Sequence, residues 1–272
     1  MLAWIVSKGG FSFLAHPFEI GSPIVKQGAA YPWRELPEKD FAGLEIWNFS
    51  SRWRDGVRNY PAAAMRYYLK LPGRALSPCP IALKKWDEIA LNRRVAAVGG
   101  SDAHALHYYA GPLKAVLFPY EYLFHGVNMH IYLREALSSS FAAAKRQVYK
   151  ALKEGNASVA LDLFRPSKGF VAVLQTGDRQ YLPGEEAPFV PGSVIFVRTP
   201  PSRSLIKIIC NGREIHRSRG PNLAFKVLRP GVFRCETWLQ YRGRYRPWIY
   251  TNPFYIRCRK ATDNPGKEAK EK

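Results

Sequence analysis

The sequence predicts two architectures in series: an α/β layer or barrel over residues 1–155, then an antiparallel, immunoglobulin-like β-sandwich over residues 156–259. Three observations lead there. Short apolar runs alternate with amphipathic helical stretches as far as Gly155. After Asn156 the helical period disappears, and brief β-rich runs recur between turn residues. Asn211-Gly212, set between two such runs, is a strong hairpin signal.

The elements follow in order. Met1 to Lys8 has a helical apolar pattern that Gly9-Gly10 ends. Phe11 to Ala15 is a short apolar run, a buried strand, just before His16-Pro17. Residues 17–40, rich in Gly, Pro and charge, form a long loop, and long loops in compact domains are often functional. Leu44-Glu45-Ile46-Trp47 is a second strand. Residues 52–70 and 81–92 are helical; in the latter Leu83, Trp86, Ile89 and Ala90 share one face. The Pro-rich residues 71–80 form a loop near the barrel mouth. Val95–Val98 is a third strand and Ala115–Phe118 a fourth. Over 141–154, Phe141, Ala144, Val148, Ala151 and Leu152 make an apolar stripe opposite Lys145, Arg146, Gln147 and Lys150. Ser140 caps that helix and Gly155-Asn156 ends it.

In the second half, strands are expected at 170–174, 193–197, 205–210, 223–228, 232–239 and 254–258. The charged tail from Lys260 to Lys272 lacks apolar anchors and is expected to be disordered. Cys79, Cys210, Cys235 and Cys258 are widely spaced with no CxxC. They read as reduced thiols of a cytoplasmic protein, with a disulfide among the last three as the alternative. No apolar run approaches the roughly 18 residues a membrane-crossing helix needs, and the N-terminus lacks a signal-peptide pattern.

The formal charge is +20. Residues 1–155 hold 20 Lys and Arg against 12 Asp and Glu, and residues 156–272 hold 21 against 9, so the excess is +8 and +12 and belongs to both halves. Such a field attracts phosphorylated or other anionic substrates, nucleic acid or anionic lipid. Arg242, Arg244 and Arg246 alternate with Tyr241 and Tyr245 before Trp248, a mix that suits stacking and pairing with a nucleic acid backbone, and equally an ordinary amphipathic edge strand.

One stretch concentrates the chemistry. Gly99-Gly100-Ser101-Asp102-Ala103-His104 follows the third strand. Two glycines allow a tight turn, and residues i and i+2 of an extended segment point to one side. Asp102 and His104 can therefore offer a carboxylate and an imidazole to one point, the donor types of a divalent metal site. His16, also placed just after a buried strand, is a third candidate donor. Sites in open sheets and barrels lie at such strand ends.

Phe13-Leu14-Ala15-His16-Pro17, Gly43-Leu44-Glu45-Ile46-Trp47-Asn48 and Gly100-Ser101-Asp102-Ala103-His104 together resemble the later motifs of the polymerase-and-histidinol-phosphatase (PHP) family. Leu152-Lys153-Glu154-Gly155-Asn156-Ala157 and Pro247-Trp248-Ile249-Tyr250-Thr251-Asn252-Pro253 resemble a subgroup that carries a C-terminal β-sandwich. The resemblance spans about residues 1–258. It implies a distorted β/α barrel, here partial, that binds divalent zinc, manganese or iron and hydrolyses phosphoesters. It makes His16, Asp102 and His104 metal ligands and places Glu45 and Asn48 as site-lining residues. Metal-bound water is the only catalytic nucleophile it supplies. His130 matches a recurring histidine of the subgroup with no assigned role, and His107, His125 and His216 read as surface histidines.

The departures count as much. The family opens with a His-x-His pair, and His16 is the first histidine here. The N-terminal part of the barrel is therefore expected to be missing, with fewer metal ions than a full cluster and an exposed half-barrel through which the chain could oligomerise. Two functions stay open. One is a metal-dependent phosphoesterase, as a fragment or weakened form. The other is a catalytically inactive PHP-like protein whose basic β-sandwich binds nucleic acid or another anionic ligand.

Overall fold

The computed structural model describes residues 1–24, 30–61, 65, 73–110 and 113–258. The expected tail at 260–272 lies outside these residues, as do parts of the expected loops at 17–40 and 71–80 and of the expected helix at 52–70.

A short helix α1 (Leu2–Ser7) precedes a three-stranded parallel sheet of β1 (Phe13–Leu14), β2 (Gly43–Asn48) and β3 (Ala96–Gly100), in that spatial order. β2, the central strand, is buried at every position except Glu45, as a strand covered on both faces must be. Helix α2 (Phe49–Asp55), a 3-10 turn (Gly73–Leu76) and helix α3 (Pro80–Asn92) lie between β2 and β3. Pro80 opens α3, where no backbone N–H is needed, and Ala82, Trp86 and Ala90 are its buried face. The Trp86 indole donates to Val95 O at 3.0 Å, which fixes the entry to β3.

The α/β character stops there, and the fold class read from the sequence is corrected. Among the described residues strand outweighs helix, 36% against 22%, the remaining sheets are open and antiparallel but for one short parallel pair, and no barrel is closed. The reason lies in the connections. After β3 the chain forms a hairpin of β4 (Leu106–Ala110) and β5 (Leu113–Leu117), whose link is too short for a parallel crossover. Helix α4 (Tyr120–Phe124) leads to β6 (Val127–Ile131), and α5 (Phe141–Glu154) to β7 (Ala157–Leu161), yet β6 and β7 pair antiparallel. No further parallel strand joins β1–β3 among the described residues.

The rest is β-sheet. An eight-stranded sheet runs β10 (Glu186–Pro188), β17 (Phe254–Arg257), β15 (Gly231–Tyr241), β16 (Arg244–Thr251), β7, β6, with β12 (Ser204–Cys210) also on β15 and β13 (Arg213–Arg219) on β12. A four-stranded sheet runs β14 (Asn222–Lys226), β11 (Val194–Arg198), β8 (Val171–Thr176), β9 (Arg179–Tyr181). The larger sheet takes β6 from one side of residue 155 and β7 from the other. A β/α barrel therefore does not describe the first part of the chain, whereas sandwich-like sheets do form.

The larger sheet separates two cores. Val159, Leu161, Tyr250 and Tyr255 join Leu44, Trp47 and Trp86 of the parallel layer in the first. Ala160, Ile208, Phe233 and Trp248 join Leu174, Ile195 and Val197 of the smaller sheet in the second. β7 is buried at all five positions because alternate side chains serve opposite cores. Asn211-Gly212 makes the expected two-residue hairpin, both residues at positive φ (50° and 77°), between Cys210 and Arg213. All four cysteines are free. Among the described residues no helix is long and apolar enough to cross a membrane.

Candidate functional site

The C-terminal ends of the three parallel strands bring the sequence-predicted residues into one neighbourhood. His16 lies two residues beyond Leu14, the end of β1, at φ 30°. Its backbone N–H donates to Glu45 Oε2 at 2.7 Å. Asp102 and Ala105, on the loop after β3, also take positive φ, 49° and 47°. Left-handed backbone at non-glycine residues costs energy and gathers where a site constrains the chain.

Glu45 is the junction. The Asn48 amide lies 3.2 and 3.1 Å from its two carboxylate oxygens. Burial raises the Glu45 carboxyl pKa; hydrogen bonds from Asn48 and the His16 N–H work against that, and the nearby Asp102 charge adds to the rise. Asn48 serves twice, since its Oδ1 also accepts from Ser51 N at 2.8 Å and so caps α2. Ser50 in turn donates through Oγ to Ser101 O at 2.8 Å, tying the start of α2 to the Asp102 loop.

The glycines before Asp102 act differently from the expected tight turn. Both belong to β3. A Cβ on Gly99 would sit 2.5 Å from Val159 Cγ1 and 2.8 Å from Trp47 O, so that residue permits the close approach of β7 and β2.

Several functional contacts escaped the sequence reading. Glu19 is buried (6% exposed) and lies on the inner side of His16, its Oε1 3.4 Å from Nδ1. It accepts from Ser51 Oγ at 2.8 Å and pairs with Arg54 and the Tyr31 N–H. Asp55, 1% exposed, receives the backbone N–H groups of Ile20 and Gly21 at 2.9 Å each. These carboxylates pin the segment after His16 against α2. The only signal for Glu19 was an acid three residues past a candidate ligand. Together His16, Glu19, Glu45, Asn48, Ser51 and Asp55 line a small cleft.

The metal-donor expectation meets a mixed geometry. The donor types suit a divalent ion, and His16 Nδ1 is buried without a hydrogen bond. His104, however, is 60% exposed and turns its Nδ1 onto the Asp102 carbonyl at 2.7 Å, with Asp102 Oδ1 at 3.6 Å. Among the described residues no three His, Cys, Asp or Glu side chains form a group able to hold a metal ion. His16 and Asp102 both lie close to Glu45, whereas His104 bonds within its own loop.

His130 belongs elsewhere, its Nε2 2.8 Å from Asp162 Oδ2 and 2.7 Å from Ser167 Oγ. His107, His125 and His216 are exposed. A scan against protein-family models found no match for this chain. Searches of curated proteins and of solved structures found none either.

Proposed function

We propose that this chain is a PHP-like protein that binds an anionic ligand and, by itself, does not turn it over. The carrying observation is the arrangement of the donors. Their types fit a divalent ion and their placement does not, because His104 is turned onto its own loop and no three-donor group forms among the described residues. A hydrolytic metal ion needs about three protein ligands. Glu45 instead accepts from the His16 backbone N–H and the Asn48 amide, which holds the strand ends together. The charge supports the ligand class: it is +20 overall and belongs to both halves of the chain.

A second reading is the metal-dependent phosphoesterase, with His16, Asp102 and His104 as ligands and Glu45 and Asn48 lining the site. The buried His16 Nδ1, which makes no hydrogen bond, favours it. One experiment separates the two. The purified chain is loaded with Zn²⁺ or Mn²⁺, dialysed, and assayed for bound metal and for hydrolysis of bis(p-nitrophenyl) phosphate. The expected result is metal well below one ion per chain and no chelator-sensitive turnover. One retained ion per chain, lost in both His16→Ala and His104→Ala, with hydrolysis that chelator abolishes, would overturn the first reading and establish the second.

A further inference from the structure

The β15–β16 hairpin projects beyond its neighbour. β16 pairs with β7 only from Ile249 onward, so Tyr241 to Arg246 extend past that strand. Two other segments arrive at the same end. The Trp248 indole donates to Arg165 O at 2.9 Å, and the Arg165 guanidinium reaches Pro201 O at 2.6 Å. Gln240 N donates to Arg203 O at 2.8 Å. Five arginines from three segments thus gather at one end: 165, 203, 242, 244 and 246.

That charge is uncompensated. Among the described residues none of the five forms an ion pair. Their own segments offer no acid, since none occurs in 163–177, 187–213 or 237–262. Arg165, Arg203, Arg242 and Arg244 are exposed. Arg246 is partly buried, and its Nε has no hydrogen-bond partner.

Aromatic rings lie among these charges. Phe164 and Tyr241 stack with centroids 4.2 Å apart and planes 15° apart. The Arg242 guanidinium sits 5.5 Å from the Tyr241 ring centroid. The hairpin register sets Arg244 opposite Tyr241, and Tyr245 opposite Gln240. Guanidiniums match phosphate oxygens in pairs, and flat rings accept bases face to face. A simple polyanion would use the first feature and leave the second idle.

We infer that this hairpin end binds single-stranded nucleic acid, the arginines 242, 244 and 246 taking phosphates and Tyr241, on the same face as Arg244 and Arg246, offering stacking surface. This rests on the anionic-ligand reading and gives it a face and a ligand class. It does not depend on whether a metal binds near His16.

The test is fluorescence anisotropy with a labelled oligo-dT of about 15 nucleotides, the upper range of one such binding surface, titrated at several salt concentrations. Wild type is expected to bind at low salt and to weaken steeply as salt rises. Arg242→Gln/Arg244→Gln, both at exposed positions, should bind at least about tenfold more weakly, and its salt slope should be shallower by roughly 1.4, at about 0.7 per lost phosphate contact on a single strand. Tyr241→Ala should weaken oligo-dT and leave inorganic polyphosphate unaffected. An unchanged melting temperature confirms that each variant folds. Wild-type affinity in the double arginine variant overturns the assignment, as does duplex DNA or polyphosphate of equal charge binding as tightly as oligo-dT. Tight polyphosphate with no oligo-dT binding sinks this inference and spares the anionic-ligand reading; no binding to either sinks both.

Discussion

Asn252 hydrogen-bonds Ala97 as a neighbouring strand would. Its Oδ1 accepts from Ala97 N at 2.6 Å, and its Nδ2 donates to Ala97 O at 3.2 Å and to Ala157 O at 3.1 Å. Ala97 lies in β3 and Ala157 opens β7, so one side chain at 1% exposure joins the parallel layer to the large sheet. Among the described residues no strand pairs with β3 on that side. Asn252 therefore fixes the strand from which the Asp102 loop departs.

Asn252→Ala should cost about 3 kcal/mol, because it leaves buried backbone groups of Ala97 without partners. Melting temperature should fall by roughly 5–10 °C for a chain of this size. Calorimetry on the variant checks this. A melt within a degree or so of wild type would mean that water or a shifted strand replaces the amide.

Gly99 and Gly100 should respond oppositely to the same change. A methyl on Gly99 meets the Trp47 carbonyl at 2.8 Å and Val159 at 2.5 Å, and backbone cannot yield cheaply. Gly99→Ala should cost about 1–3 kcal/mol or more. A methyl on Gly100 meets only Glu45 Oε1, at 3.8 Å, an ordinary contact. Gly100→Ala should stay within about 0.5 kcal/mol of wild type. Urea unfolding of the two variants separates them; equal losses would show that β7 does not press on β3 at that point.

That pair also marks what was legible in the sequence. The three strand ends and the residues His16, Glu45, Asn48 and Asp102 could be placed together from apolar runs and local motifs. Much of the β-rich half could be read from period-two runs and from Asn211-Gly212, which forces a hairpin through local geometry alone. What failed was non-local. Nothing in Val127–Ile131 says that it will pair antiparallel with Ala157–Leu161 across an intervening helix, and that pairing joins the halves and removes the barrel. The direction of the His104 ring was equally hidden. The i, i+2 rule assumes extended backbone, and positive φ at Asp102 and Ala105 breaks it. Glu19 was invisible because its role depends on α2 packing over it.

Arg234 is the buried counterpart of this joining. Its Nε and Nη2 bond Asp87 at 2.8 and 2.9 Å, and its Nη1 bonds Glu236 at 2.6 Å, with the side chain 5% exposed. Burial pushes the guanidinium pKa down, and Asp87 and Glu236 more than reverse that. Asp87→Ala strands much of a buried cation and should cost about 3–5 kcal/mol. Arg234→Met added to it should recover part of the loss, with a coupling on the order of 0.5–3 kcal/mol. A double-mutant cycle in urea reads the coupling directly, and additive losses would deny that the pair acts as a unit.

Asp162 gives the chain an acid-sensitive lock. It accepts from His130 Nε2 and from Ser167 N, each at 2.8 Å, and from Asn128 Nδ2 at 3.2 Å. Burial works to raise its pKa, but the hydrogen bonds from His130 and Ser167 outweigh it and hold the carboxyl below the usual range. Because Nε2 donates to this carboxylate it carries a proton. It therefore cannot take one from Ser167 Oγ at 2.7 Å, so the trio is a structural clasp and not a nucleophile with its base. A depressed folded-state pKa adds stability above the unfolded value, near 3.9 for Asp, and that stability is lost as pH falls through the folded value. Asp162→Asn should cost on the order of 1–3 kcal/mol at pH 7. It should also flatten the decline of stability below about pH 4. Urea unfolding at a series of pH values measures both, and an acid limb as steep in the variant as in wild type would assign the decline to other carboxylates.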